Sequence, residues 1–160
     1  MPRLPRPRRA TALLGAAALA LTVSACGTQG PPEITYYAHG ATAVAGPLVL
    51  CALDFRSCVP AGLPARLDVP PGDPLQISLP AEIFNAPWRL ITIYVDAAGT
   101  QRTRDQYYAP GAQLAVTVRP GPGEVLQGVE IQLPSGATDA DGKPVARGAW
   151  SLQNTYTPHR

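Results

Sequence analysis

The sequence predicts an all-β fold, an immunoglobulin-like antiparallel β-sandwich of about eight or nine strands, preceded by a lipoprotein signal peptide. Three observations predict this fold. Apolar residues recur in short runs with the period of two that half-buried strands show. Turn signals containing Gly, Pro or Asp interrupt these runs about every 8–12 residues. No stretch of about ten residues or more has a convincing helical pattern.

The N-terminal segment has the three-part order of an exported lipoprotein precursor. A basic region is followed by an apolar region over roughly residues 12–23, and then by Ala25 and Cys26. We predict a signal peptide at residues 1–25 and lipidation of Cys26, which would hold the protein on the extracytoplasmic face of the cell membrane. A transmembrane helix is disfavoured, because the apolar run is shorter than the roughly 20 residues that a bilayer requires. Ordinary cleavage that leaves Cys26 as a free thiol stays open.

Removal of this leader changes the charge of the protein. The full chain has 13 Lys and Arg against 11 Asp and Glu. Four of the arginines lie in the leader, which has no acidic residue: Arg3, Arg6, Arg8 and Arg9. The mature chain therefore has nine basic residues against 11 acidic ones, and no basic patch indicates a nucleic-acid partner.

After a short tether at 26–32, the predicted sandwich domain covers 33–157. Its first half has predicted strands at 33–38, 48–53, 67–69 and 75–79. The run at 48–53 is continuously apolar, which is typical of a strand covered on both faces. The run at 75–79 alternates cleanly, as a half-buried strand does.

The second half begins with a helical or irregular turn at 80–86. Predicted strands follow at 88–95, 100–108, 114–118, 129–133 and 148–155, with a polar loop at 135–144. The strand at 88–95 is apolar on both faces and belongs in the middle of a sheet, whereas 100–108 is polar and belongs at an edge. Trp88 and Trp150 are the expected core anchors.

Cys51 and Cys58 predict a disulfide. Disulfides persist outside the cytoplasm, so the two cysteines that remain after acylation of Cys26 should pair with each other. A redox-active pair requires a Cys-x-x-Cys spacing, which is absent. A zinc site would need His39 and His159, and neither has ligand spacing.

The sequence predicts no catalytic residues, no metal site and no cofactor. It has no Gly-x-Ser-x-Gly elbow and no histidine flanked by an acidic residue. His39 is expected to be a turn residue. Asp139 and Asp141 precede Gly142 and Lys143, a pattern typical of a solvated turn rather than of a calcium loop.

One polar cluster mixed with aromatic residues lies in the predicted edge strand. Its members are Arg102, Arg104, Tyr107 and Tyr108. Charges on an edge strand also discourage extension of the sheet, which is the alternative role for this cluster. Exposed tyrosines beside arginine are common interface anchors, so the cluster is the predicted partner surface.

Several short motifs are shared with a known family. They are the small-residue segment that ends at Cys26 (the lipobox), Pro32-Glu33-Ile34, the Cys51/Cys58 pair, Val69-Pro70-Pro71-Gly72-Asp73, Leu79-Pro80, Ala86-Pro87-Trp88 and Arg147-Gly148-Ala149-Trp150-Ser151-Leu152. With these motifs the chain resembles a family of actinobacterial lipoproteins that carry a domain of unknown function. The resemblance implies an exported, lipid-anchored envelope protein, and it implies no catalytic residues.

Together these observations predict a lipid-anchored cell-envelope protein that is a non-enzymatic binding module. Its partners would be the membrane, through the lipid on Cys26, and an envelope protein or glycan that the sequence does not identify. The alternative is a carrier for a lipid or other apolar small molecule between the sheets, which would require an internal cavity of a few hundred cubic ångströms.

Overall fold

A computed structural model describes residues 30–157, which fold into two β-sheets packed face to face. The predicted signal peptide at 1–25, Cys26 and most of the tether lie outside the described residues. His159 lies outside them as well.

Eleven strands and one short helix make up the described fold. In chain order they are β1 (Ile34–Ala38), β2 (Ala41–Ala45), β3 (Val49–Cys51), β4 (Cys58–Val59), β5 (Ala65–Leu67), β6 (Leu75–Ser78), α1 (Ala81–Phe84), β7 (Trp88–Val95), β8 (Gln101–Tyr108), β9 (Ala115–Val118), β10 (Val125–Thr138) and β11 (Pro144–Asn154). The predicted all-β sandwich is therefore confirmed, with more strands than the sequence indicated.

The order of the strands is that of an immunoglobulin-like sandwich. The smaller sheet has the order β2-β1-β6-β9, and the larger has β4-β3-β11-β10-β7-β8, with β5 parallel to β11. Within these sheets, β1-β6-β9 and β11-β10-β7-β8 have the A-B-E and G-F-C-C′ orders of a variable-type domain. In this comparison β2 to β5 are inserted between the first and second strands, and Trp88 lies on the C strand.

The core lies between the two sheets and is built from their alternating inward side chains. Trp88 and Trp150 are both fully buried, which confirms the two predicted core anchors. Tyr36 from β1 is also fully buried and belongs to the same core. Strand β7 buries every second residue and lies between β10 and β8, so the predicted interior position of this strand is confirmed.

Two sequence interpretations of local structure are wrong. The run at 48–53 is not a strand covered on both faces: β3 ends at Cys51, because the chain reverses there, and Leu53 is 77% exposed. The predicted loop at 135–144 is too long, since half of it is strand: β10 continues to Thr138 and β11 begins at Pro144, beyond the core. Strands β2 and β4 were not predicted from the sequence.

The ends of the sandwich are distinct. We call the end at which residues 30–33 enter β1 the tether end. Because neighbouring strands are antiparallel, α1, residues 109–114 and the β10–β11 turn also lie at the tether end. The opposite, distal end holds the β1–β2 turn and residues 70–74, 96–100 and 119–124.

Candidate functional site

Strand β8 projects beyond the edge of the smaller sheet. Its register with β7 places Arg102, Arg104, Gln106 and Tyr108 on the inward face, opposite Tyr94, Thr92, Leu90 and Trp88 respectively. The smaller sheet ends at β9, so no further strand in the described residues covers this inward face of β8. The result is a cleft between the open edges of the two sheets.

The cleft has a volume of about 210 Å³ and opens onto solvent. Three strands line it: β7 through Leu90, Thr92 and Tyr94, β8 through Arg104, Gln106 and Tyr108, and β9 with the following residue through Val116, Thr117, Val118 and Arg119. Thr92 is the only buried polar residue of the described core, and it lies at this cleft. The lining therefore combines two aromatic rings, two arginines and several neutral polar groups.

Arg104 is held by two neighbours. Its guanidinium lies over the ring of Tyr94, with the central carbon 4.4 Å from the ring centroid, and its Nη2 donates to Oε1 of Glu124 at 2.5 Å. The second carboxylate oxygen of Glu124 accepts from the backbone N–H of Gly121 at 2.7 Å. The hydrogen bond from Arg104 lowers the pKa of the Glu124 carboxyl and raises the pKa of Arg104 itself, so both groups stay charged at neutral pH.

Tyr108 forms the aromatic wall of the cleft nearest the tether end. Its ring stacks on that of Trp88, with the centroids 4.0 Å apart and an interplanar angle of 10°. Burial raises the pKa of the Tyr108 hydroxyl, so the phenol is neutral at physiological pH. A neutral phenol can donate as well as accept a hydrogen bond at the mouth of the cleft.

The outward face of β8 carries a different cluster. Nε of Arg89 donates to Oδ1 of Asp105 at 2.7 Å, and Nη2 of Arg89 donates to the other carboxylate oxygen. Arg89 also donates to Gln132 on β10 and lies 5.3 Å from the ring centroid of Tyr107. This bidentate bond lowers the pKa of Asp105. Arg89 and Asp105 therefore balance each other's charge, and the hydrogen bonds of this cluster extend over three strands.

The four residues of the predicted partner surface are thus split between two faces. Arg102, Arg104 and Tyr108 lie on the inward face, while Tyr107 lies on the outward face beside Arg89. Arg102 is directed to the distal end, where its Nε donates to Asp96 at 3.0 Å. The prediction that these residues bind a partner stays a prediction.

Sequence reasoning missed the rest of the cleft. Tyr94 lies on a strand that was interpreted only as core, Arg119 follows β9, and Glu124 comes from a distant turn. The hairpin signal at 96–99 could have supplied the register that pairs Tyr94 with Arg102. No sequence signal indicated that the smaller sheet would end at β9 and leave the inward face of β8 uncovered.

The predicted disulfide between Cys51 and Cys58 is present, and it joins β3 to β4. The two Cα atoms face each other 3.9 Å apart across the ladder. The bond closes a short hairpin whose tip comprises residues 52–57. Closure of a loop of this length stabilises the folded state by about 2.5 kcal/mol in the chain-entropy model.

The remaining ionisable residues do not form a second site within residues 30–157. His39 lies in the β1–β2 turn, where its Nδ1 is 2.8 Å from Oδ2 of Asp73. Asp139 accepts from the backbone N–H groups of Asp141 and Lys143 and so closes the β10–β11 turn. In that part of the chain no three His, Cys, Asp or Glu side chains converge as metal ligands. Across the same residues, no helix has the length and apolar character needed to cross a bilayer.

Comparison with known proteins gives a family and no activity. Residues 28–155 match the family model described as a protein of unknown function, DUF2771. An uncharacterized protein of Mycobacterium tuberculosis and one of Mycobacterium bovis are each 36% identical over 133 residues, covering 78% of this chain and 80% of the relative. No solved structure matches the chain. The matched segment includes every strand of the sandwich, and the chain therefore belongs to the DUF2771 family.

Proposed function

We propose that this protein is a lipid-anchored, non-enzymatic binding module of the cell envelope, and that it binds an envelope protein or glycan at the cleft between β8 and β9. The observation that carries the proposal is the open cleft of about 210 Å³ beside an edge strand whose residues are exposed except for the half-buried Tyr108. A site of this kind offers both a concave pocket and a strand edge to a partner.

The lining of the cleft supports recognition of a group with polar and flat apolar faces. Binding sites are concave, with a few oriented polar groups among apolar or aromatic ones. Tyr108 supplies an accessible ring, while Gln106 and Arg119 supply hydrogen-bonding groups at the rim. The volume suits one large side chain or one sugar ring, so a larger partner would extend along the exposed strand β8.

The start of the domain supports anchoring through Cys26. The carbonyl oxygen of Pro32 accepts a hydrogen bond of 2.8 Å from Nε1 of the buried Trp150. The chain is therefore fixed to the core at Pro32, six residues after Cys26. Six residues span at most about 20 Å, so a lipid on Cys26 would hold the sandwich close to the membrane surface.

The carrier alternative has less support. A carrier needs an enclosed apolar cavity between the sheets, and the described core is filled there by large side chains such as Trp88, Trp150 and Tyr36. The cleft at β8 opens onto solvent and has charged groups at its rim. Its shape favours a partner that enters from outside over a lipid held between the sheets.

Photocrosslinking in intact cells tests this function. The full-length protein would carry a benzophenone amino acid at Gln106, in the cleft, or at the control position Arg66, which is exposed on β5 at the other side of the larger sheet. We expect a discrete adduct from position 106 alone, whose attached protein or glycan is identified by mass spectrometry. Its absence, or the same adducts from both positions, would refute a binding site in the cleft.

The same cells report on anchoring. After detergent phase separation, we expect the wild-type protein in the detergent phase and the Cys26→Ala variant in the aqueous phase or in uncleaved form. Recovery of the wild-type protein in the aqueous phase would refute lipidation at Cys26 without bearing on the crosslinking result at position 106.

A further inference from the structure

The tip of the β3–β4 hairpin exposes two large apolar side chains. Leu53 is 77% exposed and Phe55 is 42% exposed, although neither belongs to the cleft or to the core. Arg56 follows them, and its side chain is 88% exposed. A tip of this composition has an apolar end with a cation beside it, which is the chemistry of a contact with a lipid surface.

The hairpin is held in one conformation. The disulfide between Cys51 and Cys58 closes its base, and the backbone N–H of Ala52 donates to the carbonyl of Ser57 at 2.8 Å. Phe55 has a positive φ of 56° and its N–H donates to the carbonyl of Ala52 at 3.0 Å. The exposed side chains are therefore presented by a fixed turn, and a fixed turn loses little conformational freedom on contact with a membrane.

A short chain of contacts joins this hairpin to the N-terminal segment. The carbonyl oxygen of Pro32 accepts the hydrogen bond from the indole of Trp150. That indole and Leu50 both pack closely against Gly148, where an added Cβ would lie 3.1 Å from the indole and 3.2 Å from Leu50. Leu50 pairs with Gly148 and immediately precedes Cys51. From there β3 runs toward the tether end, so the tip points out of the end at which the chain from Cys26 enters.

We propose that Leu53 and Phe55 insert into the interfacial layer of the leaflet that holds the lipid on Cys26, and that the hairpin is a second, non-covalent membrane contact. The proposal rests on the proposed lipidation, because a tether that spans at most about 20 Å is what would bring the tip to the membrane. Arg56 would lie among anionic headgroups, where a basic side chain is favoured. Two contacts would fix the tilt of the sandwich and leave the distal end and the β8 edge facing away from the lipid.

The neighbouring polar groups are compatible with a shallow contact. Asp54 lies between the two apolar residues, 3.9 Å from Nε of Arg56, and would remain at headgroup level. The β10–β11 turn at the same end carries Asp139 and Asp141, which belong in water. Because the β10–β11 ladder continues past the level at which Gly148 pairs with Leu50, the sandwich would tilt so that the two apolar side chains reach the lipid while this acidic turn stays in water.

The test measures the tryptophan fluorescence of the processed, lipidated protein. The protein is reconstituted into vesicles of phosphatidylethanolamine and phosphatidylglycerol, with or without brominated acyl chains. Trp88 and Trp150 are both fully buried, so they supply a constant background. Phe55→Trp reports on the hairpin. Tyr37→Trp is the matched control, since Tyr37 is 44% exposed and lies near the distal end of β1.

We expect bromolipid to quench the Phe55→Trp signal at least about twofold more than the Tyr37→Trp signal. Leu53→Trp should behave like Phe55→Trp and replaces it if that variant does not fold. Vesicle flotation without selective quenching at 53 or 55 would overturn the hairpin contact while leaving the anchor intact. Protection of these positions from aqueous acrylamide without bromolipid quenching would show that this protein itself, or a second copy of it, covers the tip, and would overturn the proposal as well. Failure of the wild-type protein to float would refute the lipid anchor and the hairpin contact together.

Discussion

The two edges of the larger sheet are both formed by hairpins, and they are stabilised in different ways. At one edge, β7 and β8 pair over eight residues each, and β7 buries four side chains in the core. At the other edge, the three-residue β3 and the two-residue β4 pair at two positions and contribute only one buried side chain, that of Cys51. The long hairpin is held by packing and the short one by a covalent bond.

This difference shows that an edge hairpin with little buried surface needs another constraint. A two-stranded ribbon is marginal in water unless one face packs on a core. Strand β8 has almost no buried residue of its own, but it pairs along its whole length with β7, and Trp88 fixes its end by stacking on Tyr108. The β3–β4 hairpin lacks such a neighbour at its tip, so its disulfide supplies the constraint. Both edges can then expose side chains to solvent without loss of the fold.

The largest effect is expected from removal of Trp88. Trp88→Ala should lower the free energy of unfolding by about 3–5 kcal/mol, because it leaves a cavity beneath the long hairpin. Trp88→Phe should cost far less, since Nε1 of Trp88 is buried without a hydrogen-bond partner in the described residues. Urea unfolding followed by circular dichroism measures both.

Tyr108→Ala is the matched change on β8. It should cost only about 1–2 kcal/mol, because the ring is partly exposed and loses mainly its stacking on Trp88. Equal losses in the free energy of unfolding for Trp88→Ala and Tyr108→Ala would contradict the conclusion that this hairpin is stabilised mainly by the side chains that β7 buries.

An intermediate effect is expected at the short hairpin. The double change Cys51→Ser and Cys58→Ser should lower the free energy of unfolding by about 2.5 kcal/mol. It should also speed tryptic cleavage after Arg56, because the tip can then open locally while the sandwich stays folded. Limited proteolysis with mass spectrometry locates the cut. Leu53→Ser, which retains the disulfide, is the control, and cleavage at the same rate in both variants would contradict the role of the bond.

Elements with a strong local pattern could be predicted from the sequence, and elements fixed by pairing could not. The alternation in β6 and the two apolar faces of β7 follow directly from their residues. Strand β2 has only small or polar side chains apart from Val44, so no periodic pattern predicts a strand there. It is a strand because it pairs with β1. The ladder beyond the core in β10 and β11 was missed for a similar reason, because its side chains are exposed or only half-buried and show no alternation.

The candidate site was predictable in composition but not in geometry. The cluster of arginine and tyrosine in β8 is visible in the sequence, yet its division between two faces depends on the register set by the turn at 96–100. The partner of Arg104 depends on a turn 20 residues away, which brings Glu124 to the cleft. The cleft itself exists because the smaller sheet ends at β9.

The smallest effect is expected from the ion pairs that surround β8. The pKa of Glu124 is lowered by its hydrogen bond with Arg104, and that of Asp105 by its hydrogen bond with Arg89. A carboxyl group with a lowered folded-state pKa stabilises the protein above its unfolded pKa, and this contribution is lost as the pH falls through the folded-state value. The free energy of unfolding should therefore decline below about pH 4, with no change from these groups above about pH 6.

Arg104→Gln removes the main cause of the lowered pKa of Glu124. The slope of the free energy of unfolding against pH should become shallower in acid, and the decrease should correspond to less than about one proton taken up on unfolding. Arg66→Gln, on the exposed face of β5, should leave this slope unchanged. Urea titrations between about pH 2.5 and pH 7 give these slopes, since they span the ordinary carboxyl range. Equal slopes for Arg104→Gln and the wild type would mean that Glu124 does not hold Arg104 in solution. The long edge hairpin would then be stabilised by its packing on β7 alone, and Arg104 would be free to meet a partner in the cleft.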